Sequence, residues 1–474
     1  MSKLVESIEK AIELSGLTDG MCISFHHHLR NGDYVLNMVM DAIARMGIKN
    51  LTVNASSLQE CHFPLAEHIK NGVVTALETN YISPKLGTAI SSGILDTPVV
   101  FRTHGGRAGD IETGRSKIDV AFLGAPTADP MGNCTGALGK SAFGSMGYAI
   151  PDAMYADKTV IITDNLVPYP LTRRSISEVY VDYVVEVESI GDPSGIVSGT
   201  TKMPRDPIAL MIADLAAKAI AASGLLKEGF SFQTGAGGSS LATAGCLHKI
   251  IKENNIRGSY ALGGITGYMV DMLNDGSFQA IQDVQCFDLK AVESIRNSPN
   301  HVEVSAGAYA SPYAKSSSAT SLDIVVLGAT EIDLDFNVNI HTDSSGRIIG
   351  GSGGHSDVAE EAKLTVITAP LSRKRLTTVK DRVTCISTPG SNVDLFVTQA
   401  GIAVNPLRRD LEEKLRAARL PVVPIRELKE MSESLNGVAE APRFTEKEVA
   451  RVYSRRGEIL DRIYQIAPPA GDGR

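Results

Sequence analysis

The sequence predicts an α/β protein made of two tandem open-sheet units, each of roughly 200 residues. Three observations predict it. The chain has 474 residues, enough for two or three domains at about 100 to 200 residues each. Short β-branched runs alternate with helical stretches, the pattern of parallel strands joined by right-handed helical crossovers. The chain also repeats itself. AIELSGL (11–17) returns as AIAASGL (219–225), and IDVAFLGAPTADPMGN (118–133) returns as LDIVVLGATEIDLDFN (322–337). KTVIIT (158–163) then matches KLTVIT (363–368), and VDYVV (181–185) matches VDLFV (393–397). Four matches in the same order place one unit at 1–205 and the other at 206–466, divided near Pro204–Pro207, with a loose tail at 467–474.

Taken in order, MSKLVESIEKAIELSGL reads as an amphipathic helix with acidic residues and no apolar signal core. CISF, LTVNA, VVFRT, DVAFLG and TVIIT read as buried parallel strands, and DYVLNMVMDAIARMG (33–47) as the helix following the first of them. The run 208–226 is apolar, yet Asp214 and Lys218 interrupt it, so it predicts a helix rather than a membrane span. In the second unit EGFSFQT is a strand and SSLATAGCLHKIIKENN (239–255) a helix. Ligands of such sheets sit beyond the carboxyl ends of the strands, so the cleft between the units is the expected site.

Composition narrows the function. Lys and Arg number 46 against 54 Asp and Glu, a net charge of −8, which argues against a nucleic-acid partner. Six cysteines lie apart with no C-x-x-C pair, so they read as reduced thiols of a cytoplasmic protein without a metal cage. Gly is abundant at 44 and Trp absent, a composition that brings backbone rather than large rings close to a ligand.

The candidate site residues lie in loops after strands. Gly235-Ala236-Gly237-Gly238 opens a helix, where free N–H groups suit a phosphate or a developing oxyanion. A second cluster, Gly350 to His355, follows a hairpin tip at Asp343–Gly346 and offers Ser352, Gly353, Gly354 and His355 as another backbone-lined wall. His26, His27 and His28 follow the first long strand. Alternate residues of an extended chain point oppositely, so they cannot share one metal, and hydrogen bonding or positive charge beside an anion is the expected use. Arg30 and Arg107 suit bidentate carboxylate contacts. Asn133 and Asn337 read as turn formers, and Arg373-Lys374-Arg375 as solvated charge. The acid that dinucleotide binding needs about 20 residues after a Gly-rich turn is missing, which argues against NAD. No G-x-S-x-G, H-E-x-x-H or P-loop lysine is present.

Taken together, DGMCISFHHHLRNGDYVLNMVMDAIARMGIKNLTV, HGGR, IDVAFLGAP, GFSFQTGAGGSSLA, ALGGITGYMVD, TEIDLDFNVNI, GSGGHSD and GSNVDLFVTQAGIAVNP resemble the alpha subunits of bacterial citrate lyases, over residues 4 to 460. The resemblance implies two tandem, internally duplicated CoA-transferase-like (NagB/RpiA-like) α/β domains with the active site between them. It implies a citrate CoA-transferase that moves an acyl thioester from acetate to citrate, with citramalate as the alternative acceptor and a metabolite-binding module as the alternative class. No group is bound covalently in the chain. Acetyl-CoA or the CoA-like prosthetic group of an acyl-carrier protein supplies the thioester, and citrate lyase beta (citryl lyase) and gamma (acyl-carrier) subunits are the implied partners in an oligomer away from membranes. Related acetyl-CoA hydrolase/transferases carry a catalytic Glu where this chain reads Ile265-Thr266-Gly267. Without that carboxylate, a ternary complex and a mixed anhydride are expected. Gly237, Gly238, Gly353 and Gly354 would supply oxyanion donors, while His26, His27, His28, Arg30 and Arg107 would hold the substrate's carboxylates.

Overall fold

The computed structural model describes residues 2–197, 204–235, 237–438 and 440–467. The first sheet uses β1 (Leu4–Val5), β2 (Cys22–Phe25), β3 (Leu51–Ala55), β4 (Val74–Thr79), β5 (Val99–Phe101), β6 (Val120–Ala125), β7 (Lys158–Thr163) and β8 (Tyr183–Glu186). The second uses β9 (Ser231–Thr234), β10 (Gly258–Ile265), β11 (Phe278–Cys286), β12 (His301–Glu303), β13 (Ile324–Gly328), β14 (Leu364–Thr368), β15 (Leu395–Thr398) and β16 (Gly401–Val404). Two last strands, β17 (Phe444–Tyr453) and β18 (Ile459–Ile466), close the chain.

Strand order is β1-β8-β7-β6-β2-β3-β4-β5-β17-β18 in one sheet and β12-β11-β10-β9-β13-β14-β15-β16 in the other. Read in opposite directions, 8-7-6-2-3-4-5 and 15-14-13-9-10-11-12 are the same order. The β1–β8 and β9–β15 ladders are parallel throughout, and the central strands β6, β13 and β14 are almost wholly buried.

The repeated residues make repeated contacts. α1 (Ile8–Ser15) ends on Gly16 at φ 72°, and α2 (Pro207–Ser223) ends on Gly224 at φ 82°, the left-handed cap that glycine adopts without steric penalty. Asp119 accepts the Cys22 N–H at 2.7 Å and Asp323 accepts the Ser231 N–H at 2.9 Å, tying β2 and β9, which hold the same place in the two strand orders, to a neighbouring strand. Asn133 donates to Asp129 at 2.9 Å, and Asn337 to Asp333 at 3.1 Å, so both asparagines shape turns as expected.

Two placements differ from the sequence reading. The N-terminal segment forms a short strand before Ser7 caps α1, because Leu4 and Val5 pair beside β8. The second unit, expected to run to 466, sends β17 and β18 into the first sheet, where Ala450–Val452 pair with Val99–Phe101. That return carries Arg455, buried between the units, to Glu361 and to the Ala310 carbonyl at 2.8 Å. Of the expected tail, Ala467 donates to the Arg443 carbonyl at 2.9 Å, and 468–474 lie outside the described residues. No helix among the described residues is long and apolar enough to cross a membrane.

Candidate active site

The two units meet through a helix cap. Helix α3 (His104–Glu112) of the first unit begins on Thr103, whose side chain accepts the Gly106 N–H. Asp357 of the second unit accepts the Thr103 hydroxyl at 2.6 Å and the Gly105 N–H at 2.9 Å, putting a carboxylate at the positive end of that helix. Burial pushes the Asp357 carboxyl up to about 6, against the pull of nearby Arg455.

Beside this joint lies a cavity of about 650 Å³, within the range of small-molecule sites. Tyr81, His104 and Tyr148 line it from the first unit. Gly235, Gly237, Gly238 and Gly350 to His355 line it from the second. The two Gly-rich loops, more than 100 residues apart in sequence, therefore share one wall system.

Their glycines do different work. Gly237 and Gly238 start α4 (Gly238–Glu253), and a Cβ built on either would meet no atom within 4 Å, so both backbones face open cavity. Neither N–H has a hydrogen-bond partner among the described residues. Gly235 differs: its N–H donates to Val326 at 2.8 Å. In the second loop the glycines allow close approach between units. A Cβ on Gly351 would stand 2.2 Å from the Asn80 carbonyl oxygen. Gly353, at φ 51°, donates its N–H to Asn80 at 3.2 Å and accepts from the His104 N–H at 2.8 Å. The expectation that Gly353 offers a free oxyanion donor is corrected by that bond, whereas the Gly354 N–H has no partner among the described residues.

The histidines also land differently from their expected role. His26 bonds the Gly124 carbonyl at 2.8 Å, His28 contacts His26 at 2.9 Å, and His27 bonds Ser56 at 2.7 Å. All three are buried and none lines the cavity. Burial pushes their pKa values down, those of His27 and His28 well below the usual imidazole range, so they are neutral. They back the wall: His27 stacks on Tyr148 with ring centroids 4.9 Å apart. Arg107 is likewise engaged elsewhere, in a buried bidentate pair with Asp152 at 2.7 and 2.8 Å and a bond to Asn54 at 2.6 Å. Its expected carboxylate role is replaced by an internal one. His355 lines the cavity but is held at both ring nitrogens, by Thr388 at 2.8 Å and Gly328 at 2.9 Å, and burial lowers its pKa to about 4. Ser352 lines the cavity and its carbonyl accepts the His355 N–H at 2.8 Å.

Arg30 is the exception. It is not itself a lining residue, but its guanidinium lies 5.0 Å over the ring of Phe287, which is, and it makes no ion pair among the described residues. One terminal nitrogen is buried with no hydrogen-bond partner. An unpaired buried donor of this kind is costly unless an anion completes it.

Several cavity residues were not singled out by sequence. His104 stacks on Tyr148 at 4.2 Å, its Nδ1 is buried and unpartnered, and burial lowers its pKa to about 3. It lies in the HGGR segment, three residues before Arg107. Gln233 donates to Tyr309 at 3.0 Å and keeps an unpartnered carbonyl oxygen beside the cavity. Gly264, next to the end of β10, lines the cavity, and Gly267 starts the next helix with its N–H on Asp288 at 2.5 Å. Asp206 is the sole carboxylate among the described lining residues, and it accepts the Ala209 N–H at 3.1 Å as a helix cap. Away from the cavity, Asp283, Cys286 and His301 form a fully buried cluster held by bonds of 3.0 and 2.9 Å to Asp283.

Comparison with known proteins places this architecture. The family model "Citrate lyase, alpha subunit (CitF)" matches residues 1–466. The citrate lyase alpha chain of Haemophilus influenzae is 48% identical over 464 residues, 98% of this chain and 93% of that one. The Escherichia coli citrate lyase alpha chain is 47% identical, covering 98% and 91%. A crystal structure of the citrate lyase alpha subunit from Streptococcus mutans, in complex with citrate, superposes with a TM-score of 0.97 at 48% identity, covering 99% of this chain and 92% of that one. The malonate decarboxylase alpha subunit of Acinetobacter baumannii shares the fold alone, with a TM-score of 0.68 at 14% identity over 92% and 93% of the chains.

Proposed function

Because the chain belongs to the family of citrate lyase alpha subunits, we propose that it is the citrate CoA-transferase of such an assembly. It passes a thioester from acetate to citrate in a ternary complex. A citrate carboxylate attacks the acetyl thioester carbonyl; the C–S bond breaks, leaving a mixed anhydride and a thiolate. The thiolate then attacks the citryl carbonyl, acetate departs, and citryl thioester remains. No proton need be stored on the protein.

The observation that carries this reading is the cavity's lining. Two unpartnered N–H groups, at Gly237 and Gly238, face a space whose described lining holds no carboxylate except the helix-capping Asp206. Such a wall is suited to an oxyanion and, among its described residues, offers no uncapped carboxylate to carry an acyl group, which supports a reaction between the two substrates themselves. Bringing them into register can lower the barrier by about 7 to 11 kcal/mol, and each oxyanion donor contributes about 10²- to 10³-fold. Arg30, half-buried and unpaired over Phe287, is the proposed anchor for a citrate carboxylate. The citrate found in the Streptococcus mutans relative favours that acceptor over citramalate. The shared strand order and paired contacts of the two sheets support the tandem CoA-transferase-like duplication. A cytoplasmic setting and lyase and acyl-carrier partner subunits belong to the same proposal.

The test is thioester exchange by the purified chain alone, comparing citrate with citramalate as acceptor and following citryl-CoA and acetate by mass spectrometry. Citryl-CoA formation with no mass increase on the protein is expected. An acetyl or CoA adduct on an Asp or Glu that forms and decays at the rate of turnover would overturn the ternary mechanism. Absence of exchange with every donor and acceptor would overturn the activity.

A further inference from the structure

A basic hairpin at the cavity mouth has no part in the steps above. Ser372–Arg373 pairs antiparallel with Leu376–Thr377, leaving Lys374 and Arg375 as a two-residue turn. Lys374 sits at φ 57°, a conformation that favours Gly, Asn or Asp in hairpin turns. Arg373 lines the cavity and donates to the Ala329 carbonyl at 2.6 Å. Arg373, Lys374 and Arg375 are all exposed, and none forms an ion pair among the described residues. Ile208, 41% exposed on the first turn of α2, lines the same cavity and gives the mouth an apolar side.

Three adjacent cations repel one another, and in a chain of net charge −8 their mutual field would be relieved by an anion at the mouth. Arg30 is half-buried, with one terminal nitrogen shut away from solvent, and Arg373 is exposed, so the unpaired positive charge occurs at two depths. The shallow one suits a group that never enters the reaction.

We propose that the hairpin Ser372–Thr377 binds the phosphate of the thioester carrier, a phosphorylated pantetheine arm. The neutral arm then passes the Ile208 rim and delivers its thioester to Gly237 and Gly238. This rests on the transferase reading. The arm's chemistry is common to free CoA and to the prosthetic group of an acyl-carrier protein, and a guanidinium fork beside a lysine suits its phosphate.

The experiment compares the full-length wild type with the R373Q/K374Q/R375Q variant on three donors: acetyl-CoA, an acetylated acyl-carrier protein, and acetyl-pantetheine, which lacks phosphate. The expected result is a KM about tenfold higher for the phosphorylated donors, with kcat nearly unchanged and a weaker dependence on salt. The KM for acetyl-pantetheine should be the same in both proteins. A rise with both phosphorylated donors assigns the shared phosphate; a rise with one alone assigns that source. Equal changes for all three donors, or none, would overturn the proposal. Calorimetric titration with CoA and with pantetheine separates it from the transferase reading. A protein that transfers nothing, yet loses its preference for CoA over pantetheine in the variant, sinks the activity and keeps the hairpin. A wild type that binds the two equally sinks the hairpin.

Discussion

Gly238→Pro removes one backbone N–H from the cavity and little else. Gly238 is the first residue of α4, the position where proline's fixed φ is compatible with a helix and its missing N–H breaks no intrahelical bond. Proline also restricts the residue before it to extended ψ, and Gly237 already stands at ψ 144°. A Cβ at 238 meets nothing within 4 Å. The fold should therefore tolerate the change, with a melting temperature within a few degrees of wild type. If the Gly238 N–H stabilises the tetrahedral oxyanion, its loss costs about 2.7 to 4 kcal/mol of transition-state energy, or 10²- to 10³-fold in kcat. The Michaelis constants should change much less, because the oxyanion exists only in the transition state. Gly238→Ala keeps the N–H while placing a methyl in the same open space, and is expected to retain activity within about tenfold. The assay is citryl-CoA formation at saturating acetyl-CoA and citrate. A proline variant within threefold of wild-type kcat would remove Gly238 from the oxyanion role. A proline variant no slower than the alanine one would show that only bulk matters there.

Three further outcomes are expected. Arg30→Gln should raise the KM for citrate about tenfold or more, since hydrogen bonds to charged groups contribute about 1.5 to 3 kcal/mol; Arg30→Lys should restore little, and an unchanged citrate KM would dismiss the anchor. Gly351→Ala forces a methyl to within 2.2 Å of the Asn80 carbonyl, so it should destabilise the protein by about 1 to 3 kcal/mol and lower the melting temperature by several degrees; a stable variant would contradict the tight contact between units. Burial holds the Asp357 carboxyl near 6 rather than at its usual 3.8. The folded state then binds more protons than the unfolded state between pH 4 and 6, so this group's contribution is complete below pH 4 and lost as pH rises through 6. The loss is about 3 kcal/mol at 1.36 kcal/mol per unit. Wild-type stability minus that of Asp357→Asn should fall by that order between pH 4 and 7 in urea unfolding, and a constant difference would refute the raised pKa.

Much of the architecture was legible because the same residues recur at corresponding places in the two units. Asp119 and Asp323, Asn133 and Asn337, and Gly16 and Gly224 recur in sequence because each turn or strand end needs the same bond or backbone angle in both units. The Gly-rich loops were legible because a turn that opens a helix has a recognisable composition. What a polar side chain does once packed has no such signal. His26, His27 and His28 read as hydrogen-bonding or positively charged groups beside an anion, but an imidazole's charge depends on burial, and burial depends on residues such as Tyr148 and Phe143 that arrive from elsewhere in the chain. Arg107 and Arg30 look alike in sequence, and only packing gives one an aspartate and leaves the other unpaired.

By itself the sequence determined the strand segments, the repeated turns and the two glycine loops, because the residue types that favour each are adjacent in the chain. Tertiary structure decided that those loops share one cavity, that the last two strands return to the first sheet, and that the Gly353 N–H belongs to Asn80 rather than to a substrate. Hydrogen-bond capacity and charge are settled by which distant groups the packed state brings within reach, and that is invisible until the two units close on each other.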